Sequence, residues 1–221
     1  MNLSESEQDI VTDRLAEFFK GATDYRFVAW DLETNGLQGS SVLSVSAMRC
    51  ELQPDKSVKL LPNGTYSRFY YPEDGEQYDS GAIKVNGLSA AVVDTKRSFD
   101  YPLRFSEDIE SFREFCGDIE RCVTYNGIDF DSTFVPKGFF KYHFDPKPWL
   151  ENFTKVPPTQ RMMDTGFGNK FKTPSLKESA KWAGLNFEEE SAHGSAYDTL
   201  ITVKLFEVLV KASLFRPVVK N

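Results

Sequence analysis

Four carboxylates and one histidine, spread over three short segments, are the side chains of this sequence best suited to do chemistry. They are Asp31, Glu33, Asp131, His193 and Asp198. Carboxylates that a fold gathers into one small site repel each other and lose hydration, so such a site is tolerated mainly when divalent cations neutralise it. The set therefore points to metal-dependent chemistry on phosphate.

The first two carboxylates follow a predicted strand. Residues 26–30 form an apolar, partly aromatic run, and turn-forming residues follow at 35–36. Because strand side chains alternate between faces, Asp31 and Glu33 are expected on one side, with Leu32 turned away. Both could then reach one Mg²⁺ or Mn²⁺, ions that prefer oxygen ligands. Taken alone, an acidic pair with this spacing equally fits two ordinary polar residues at a strand end.

The third carboxylate, Asp131, follows a predicted helix from about Ser106 to Asp118 and a short strand over 121–125. A turn at 126–127 places Asp131 near the start of the next helix, where the partial positive charge of the helix end favours a carboxylate. Taken alone, Asp131 could simply cap that helix. Proline fits only the first turn of a helix, so Pro136 requires that this helix begin close to it or bend.

The third segment leads into the last long helix, whose apolar residues recur at helical spacing. Ser195 could cap this helix, which leaves Asp198 in its first turn and His193 in the loop before it. A lone histidine is usually structural or exposed. The fixed spacing between His193 and Asp198 favours a functional role for this histidine.

Together, the three segments resemble the DnaQ-like family of 3′-to-5′ exonucleases in its DEDDh branch, where a histidine lies five residues before the last aspartate. The resemblance extends over about 26–211, and residues 82–88 and 175–180 resemble further segments of that family. It implies an α/β fold of the ribonuclease H-like type, with a mixed central sheet flanked by helices and an extra N-terminal helix. We expect an N-terminal helical extension over residues 1–24 and the exonuclease domain over 25–215. Ser4 and Glu7 could form a capping box for the N-terminal helix, whose apolar side carries Ile10, Val11, Leu15 and Phe18 and is expected to pack on the core.

The resemblance also implies two Mg²⁺ or Mn²⁺ ions per site. Asp31, Glu33 and Asp198 would hold one ion. Asp31 and the substrate phosphate would hold the second, on which Asp131 would act through water. His193 would be the general base for the attacking water. The expected reaction is hydrolysis of the terminal phosphodiester at a free 3′ end of DNA or RNA, single-stranded or frayed, with release of a nucleoside 5′-monophosphate.

The implied substrate contacts lie just after the first acidic pair and in the second segment. They are Thr34, Asn35, Gly36, Leu37 and Asn126. By resemblance, backbone amides of the first four lie near the 3′-hydroxyl, Leu37 packs on a base, and Asn126 helps to position the strand. Asn35 and Gly36 fit a tight turn whichever function holds.

Several lysines close to the third segment could contact phosphates, although a solvated helix face explains them as well. They are Lys170, Lys172, Lys177 and Lys181.

The composition fits this interpretation. With 221 residues and 40% hydrophobic content, the chain can form one domain with a substantial core. Its net charge of −7 argues against a large non-specific nucleic-acid surface, so tight duplex binding is not expected. Three cysteines without a C-x-x-C pair indicate buried thiols in a reducing compartment. No apolar run reaches spanning length, so we expect a cytoplasmic protein without a membrane partner.

Two alternatives from other classes stay open. The first is a non-catalytic protein that binds nucleic-acid ends or serves as a scaffold, and the complete acidic set speaks against it. The second is a proofreading subunit that assembles with a polymerase, and the short stretch beyond Lys211 speaks against it. The choice between DNA and RNA, the oligomeric state, and the roles of the N-terminal helix and of residues 72–101 are left open by the sequence.

Overall fold

The computed structural model describes residues 3–37, 39–166, 168–188 and 193–217. Its centre is one mixed sheet with the strand order β3-β2-β1-β4-β5. The strands are β1 (Arg26–Thr34), β2 (Val42–Leu52), β3 (Val58–Phe69), β4 (Arg121–Val123) and β5 (Tyr142–Phe144). The first three strands pair antiparallel, whereas β4 is parallel to both β1 and β5. This arrangement confirms the α/β fold with a mixed sheet that the sequence predicts.

Helices cover both faces of the sheet. They are α1 (Glu5–Phe18), α2 (Ser80–Asn86), α3 (Ala90–Lys96), α4 (Phe105–Cys116), α5 (Glu151–Thr154), α6 (Gln160–Asp164), α7 (Leu176–Trp182) and α8 (Ser195–Ala212). In the part of the chain that the structure describes, none of these helices combines the length and the apolar character needed to cross a bilayer.

The central strand β1 is buried on both faces, and its alternating side chains separate two cores. Phe27 packs against α8, with its ring centroid 4.8 Å from that of Phe206. Trp30 packs on the opposite face against α4, with its centroid 5.5 Å from that of Phe112. Odd-numbered residues of β1 therefore face α8, and this geometry brings Asp31 towards α8.

Helix α1 belongs to the core on the α8 side. Val11, Leu15 and Phe18 are buried there, as the sequence pattern predicts. Ile10 is 42% exposed, so its predicted place on the buried side is wrong. A capping box between Ser4 and Glu7 starts the helix as expected. The boundary between residues 24 and 25 stays a prediction.

Two local predictions around the acidic segments are wrong. The helix expected near Pro136 is a single 3₁₀ turn, Asp131–Phe134, which ends before the proline can disturb it. Ser195 does not cap α8, because Gly194 occupies the cap position. The Ser195 hydroxyl instead lies 2.8 Å from that of Ser46, on the buried side of the helix.

Candidate active site

Three carboxylates meet where β1 ends and α8 begins. Asp31 and Glu33 lie on the same face of β1, and Asp198 lies in the first turn of α8. One oxygen from each of the three lies within 4.8 Å of the others. The fold thus brings together residues that are far apart along the chain. Asp31 and Glu33 share one face of the strand and Asp198 lies in the first turn of the helix, as the sequence predicts.

Asp131 joins this group from the 3₁₀ turn that follows β4. It is buried, and its Oδ1 accepts a hydrogen bond of 3.0 Å from the backbone N–H of Leu32, the residue between the two strand carboxylates. Burial is the main cause that raises the pKa of Asp131 to about 7, against the opposing effect of the Leu32 N–H. Asp131 therefore lies next to the three carboxylates but is not one of the three whose oxygens lie within 4.8 Å of one another.

Burial is also the main reason why the pKa of each carboxyl in the trio is raised. The pKa of Asp31 is raised well above its ordinary value, and the negative charges of Asp131, Glu33 and Asp198 add to the effect of burial. The pKa of Glu33 rises to about 8 and that of Asp198 to about 6. The folded chain thus concentrates negative charge where it is poorly hydrated.

The chemistry of this donor set fits a divalent cation. Asp198 Oδ1 is buried and has no hydrogen-bond partner among the described residues. Such an orphaned buried carboxylate oxygen is costly unless something positive faces it. Mg²⁺ and Mn²⁺ take oxygen ligands from a few carboxylates and complete their shells with water and substrate. The carboxyl groups of Asp31, Glu33 and Asp198 meet this requirement.

His193 lies just before α8 and is exposed. Its backbone is in the left-handed region, with φ of 60°, which few non-glycine residues adopt. The backbone N–H of His193 and the positive charge of its ring, when present, both act to lower the pKa of the Asp198 carboxyl. The imidazole is therefore beside the acidic group and open to solvent.

A cleft of about 380 Å³ opens beside the acidic group. Of the predicted substrate contacts, Thr34, Gly36 and Leu37 line it, together with α2 and Phe130. Leu37 is 86% exposed, which leaves its side chain available to a ligand.

Asn35 lies apart from this cleft. It is buried, and its side chain donates to Glu76 Oε1 at 2.7 Å and to the carbonyl oxygen of Gln77 at 2.8 Å. Its Oδ1 accepts the N–H of Asp79 at 2.9 Å. The side chain of Asn35 therefore holds neighbouring segments together.

Asn126 lies in the turn that the sequence predicts before Asp131. Its φ is 71°, and its N–H donates to Asp145 Oδ1 at 3.0 Å. Asp145 Oδ2 also accepts the N–H of Ile128 at 3.3 Å. Asp145 thus fixes the loop that leads to Asp131. No motif in the sequence predicts this role.

Asn86, at the end of α2, is a second residue near the site whose role the sequence does not reveal. Its side-chain N–H donates to the Thr34 carbonyl oxygen at 2.9 Å, and the same side chain acts against the rise in the pKa of the Glu33 carboxyl. It lies in segment 82–88, so the resemblance of that segment is the signal that could have found it.

The lysines near the third segment mostly have partners within the protein. The Lys172 ammonium lies 2.5 Å from Glu178 Oε2, and the Lys170 ammonium lies over the ring of Phe171. Lys177 and Lys181 also have interaction partners. The structure therefore favours a local structural role over phosphate contact for this group.

Residues 28–206 match the RNase_T family model, described as exonuclease. The chain belongs to this exonuclease family. That membership confirms the DnaQ-like assignment made from the three motifs, and the match covers well over half of the chain.

The chain is also similar to individual proteins, over a shorter stretch or at lower sequence identity. A 93-residue stretch is 30% identical to the PolC-type DNA polymerase III of Ureaplasma parvum serovar 3, covering 42% of this chain and 6% of the polymerase. E. coli exonuclease I in complex with a dT13 oligonucleotide has a TM-score of 0.62 and 14% identity, covering 83% of this chain and 40% of that one. Exonuclease X in complex with 5′ overhanging duplex DNA has a TM-score of 0.51 and 19% identity, covering 83% and 89%.

These comparisons show the fold rather than the substrate. This chain spans about two fifths of the exonuclease I chain and a small part of the polymerase. At 14% and 19% identity, the structural likeness shows that this chain shares its fold with these two exonucleases. The activity of this chain depends on the residues of its own site.

Proposed function

We propose that this protein is a metal-dependent 3′-to-5′ exonuclease that removes nucleotides from single-stranded or frayed ends and releases nucleoside 5′-monophosphates. The observation that carries the proposal is the convergence of three carboxylate oxygens within 4.8 Å, with Asp131 hydrogen-bonded to the strand beside them. Membership of the exonuclease family supports the same conclusion.

In this proposal, Asp31, Glu33 and Asp198 would hold one Mg²⁺ or Mn²⁺. Asp31 and the substrate phosphate would hold a second, with Asp131 beside it. Ions bound there would supply positive charge that favours the displacement at phosphorus. The protein contributes by fixing four carboxylates on β1, the 3₁₀ turn and α8, elements that a packed core keeps rigid.

His193 accepts a proton from the attacking water at its imidazole ring. A neutral imidazole ring nitrogen can accept this proton, and histidine is the most common general base of this kind. The exposed position of His193 beside Asp198 supports this role, because solvent can reach both groups. Proton exchange with bulk water then restores the neutral base.

The cleft beside Glu33 receives the terminal nucleotide. Its exposed apolar side chains, Leu37 and Val85, suit the flat face of a base, and Gly36 lets the strand approach the backbone closely. The net charge of −7 supports a grip on a few terminal nucleotides rather than on a long duplex. The three free and buried cysteines support the cytoplasmic location proposed from the sequence.

The decisive experiment incubates the purified protein with 3′-labelled and 5′-labelled DNA and RNA oligonucleotides, with and without Mg²⁺ or Mn²⁺. We expect mononucleotide release from the 3′ end only when metal is present. The substitution Asp198→Asn keeps the shape of the side chain but removes its charge. Because metal ions contribute several kcal/mol of charge stabilisation, this substitution should slow release by about 10²- to 10³-fold.

Asp13→Asn is the matched control, because Asp13 is exposed on α1 and away from the site. It should cleave at the wild-type rate. Binding of oligonucleotides without any metal-dependent cleavage would instead support a non-catalytic end-binding protein.

The similarity to a PolC-type polymerase favours one second candidate, a proofreading role beside a polymerase. Both candidates share the same chemistry and differ in the substrate end. A proofreading exonuclease would remove a mismatched primer terminus faster than a paired one, whereas a free-standing nuclease would degrade a single strand fastest. Comparing these three substrates at one enzyme concentration distinguishes the two roles.

A further inference from the structure

Lys147 lies beside the candidate active site, and the chemistry described above does not use it. It lies shortly after the end of β5, at the edge of the sheet where the acidic residues gather, and stands between Pro146 and Pro148. Proline fixes the backbone φ angle, so two flanking prolines leave this short segment few alternative conformations. The backbone that carries the Lys147 side chain is therefore conformationally restricted.

Asp145 ties this segment to the loop that carries Asp131. The same oxygen, Oδ1, accepts the N–H of Lys147 at 3.1 Å and the N–H of Asn126 at 3.0 Å. The two backbone segments are thus held against one carboxylate. These hydrogen bonds fix the position of the Lys147 backbone relative to the acidic site.

The Lys147 ammonium lacks a close partner. The side chain is half-buried, yet within the described ranges it makes neither a hydrogen bond nor an ion pair. Burial is the main cause that lowers its pKa, while the charges of Asp145, Asp129 and Asp131 act to raise it. A half-buried cation without a direct partner is poorly compensated, so an incoming anion would gain by pairing with it.

Lys172 strengthens this local positive field. Its charge is close enough to act on Lys147, and its side chain, paired with Glu178, is only 15% exposed. Two cations on one side of a strongly acidic site are unfavourable for each other. The repulsion from Lys172 favours a phosphate beside Lys147, because Lys binds phosphate oxygens as a point charge without preference for any base.

We propose that Lys147 binds a backbone phosphate of the nucleic-acid strand, at the linkage next to the one that is cleaved. This inference rests on the proposed function, because it assumes a strand whose terminal phosphodiester lies at the carboxylates. Lys147 then offsets the repulsion that a second phosphate meets beside Asp129 and Asp131. It is a substrate-binding residue that positions the strand.

The test measures binding of a 5′-fluorescein oligonucleotide in Ca²⁺, with recovery of intact oligonucleotide checked on a gel. Lys147→Ala should weaken binding about tenfold, as expected for loss of one charged hydrogen bond. Plotted against the logarithm of the salt concentration, the logarithm of its affinity should have a slope shallower by about 0.7. Lys147→Arg should retain most of the affinity. Lys147→Gln, which keeps the length of the stem, guards against a folding defect in the alanine variant.

Lys141→Ala is the matched control. Lys141 is an exposed lysine just before β5, and its ammonium lies 3.9 Å from Glu120. This variant should bind with the affinity and the salt slope of the wild type.

Neutral methylphosphonate linkages locate the contact. Replacing the phosphate next to the scissile one should weaken binding of the wild type but leave Lys147→Ala almost unaffected, because the interaction is already absent. Replacing a phosphate further along the strand should weaken both proteins equally. Equal sensitivity of both proteins at every linkage would overturn the proposal.

The remaining outcomes separate this inference from the proposed function. If the wild type cleaves 3′ ends but Lys147→Ala and Lys147→Gln bind like Lys141→Ala, only the inference fails. The same holds if both Lys147 variants merely lower the melting temperature with an unchanged salt slope, since Lys147 then serves only to balance charge. If the wild type neither binds nor cleaves oligonucleotides, both proposals fail.

Discussion

The acidic side chains of the candidate metal site lower the stability of the folded protein. Asp31 is partly buried beside Glu33 and Asp198, and Asp198 Oδ1 has no hydrogen-bond partner among the described residues. Without a cation this arrangement opposes folding, because like charges share a poorly hydrated space. The positions of Asp31 and Glu33 could be predicted from the two-residue period of a strand, and that of Asp198 from the first turn of a helix.

At the same scale, His193→Ala tests the assignment of the base. We expect the turnover number to fall by about 10²- to 10⁴-fold, the usual contribution of a positioned general base. Affinity for Mn²⁺ should change little, because the carboxylates remain. Steady-state kinetics with a labelled oligonucleotide and calorimetric titration of Mn²⁺ measure the two effects separately.

The control for this prediction is His143→Gln. His143 is the other histidine of the chain, and its Nδ1 lies 3.2 Å from Cys122 Sγ, away from the carboxylate trio. Its substitution should leave the turnover number unchanged. If His193→Ala turns over at the wild-type rate, the base is a different group.

At the scale of structural elements, the substrate cleft depends on how two connecting segments are joined. Glu76 accepts a hydrogen bond from the Asn35 side chain at 2.7 Å and bonds both the backbone N–H and the hydroxyl of Ser41. Burial acts to raise the pKa of Glu76, but hydrogen bonds from Ser41 and Asn35 outweigh it and lower the pKa. One charged carboxylate therefore fixes the loop that follows β1 and carries Leu37.

Glu76→Ala should loosen this loop without touching the carboxylates that hold metal. Removing the acceptor leaves two partly buried donor residues unsatisfied, at a cost of about 1–3 kcal/mol. We expect KM for an oligonucleotide to rise about tenfold, with a smaller change in kcat, and Glu76→Gln to have a milder effect. Steady-state kinetics of the two variants measure this difference.

Glu110→Ala provides the comparison for Glu76, because Glu110 lies on α4 and its side chain is 79% exposed. It should match the wild type in both constants. A fall in kcat with constant KM in Glu76→Ala would show that Glu76 supports the chemistry rather than the cleft.

Periodic elements could be predicted from the sequence, whereas single contacts between distant segments could not. Strands β1 and β2 and helix α8 have apolar residues at regular spacing, because one face or both must be buried. Glu76 and Asp145 have no such signal, since a hydrogen bond to a remote loop imposes no period on the neighbouring residues. The 3₁₀ turn at Asp131–Phe134 was also missed, because one turn is too short to show a pattern.

At the scale of the whole molecule, the two cores on opposite faces of the sheet supply the stability that the site reduces. Helix α1 adds Val11, Leu15 and Phe18 to the core on the α8 side. The helix that the sequence separates as an extension thus packs on the same core as α8, the helix that carries Asp198. A sequence pattern shows that such a helix has an apolar face, but it cannot show which surface that face covers.

The balance between core and site predicts how the stability of the metal-free protein depends on pH. The folded-state pKa values of Glu33, Asp131 and Asp198 are about 8, 7 and 6, all above their ordinary values near 4. Between pH 5 and pH 8 the folded state therefore holds protons that the unfolded chain has released. The free energy of unfolding must then fall as pH rises through this window.

We expect the melting temperature in EDTA to be several degrees lower at pH 8 than at pH 5, since about 1 kcal/mol corresponds to about 2–4 °C for a chain of this size. Mn²⁺ should recover much of the loss at pH 8, because it replaces the released protons. Asp198→Asn removes one titrating group, so in EDTA at pH 8 this variant should melt above the wild type while lacking activity. Scanning calorimetry at pH 5, 6.5 and 8 measures all three effects. A melting temperature in EDTA that is constant across this range would show that these carboxyls do not share a buried, uncompensated site.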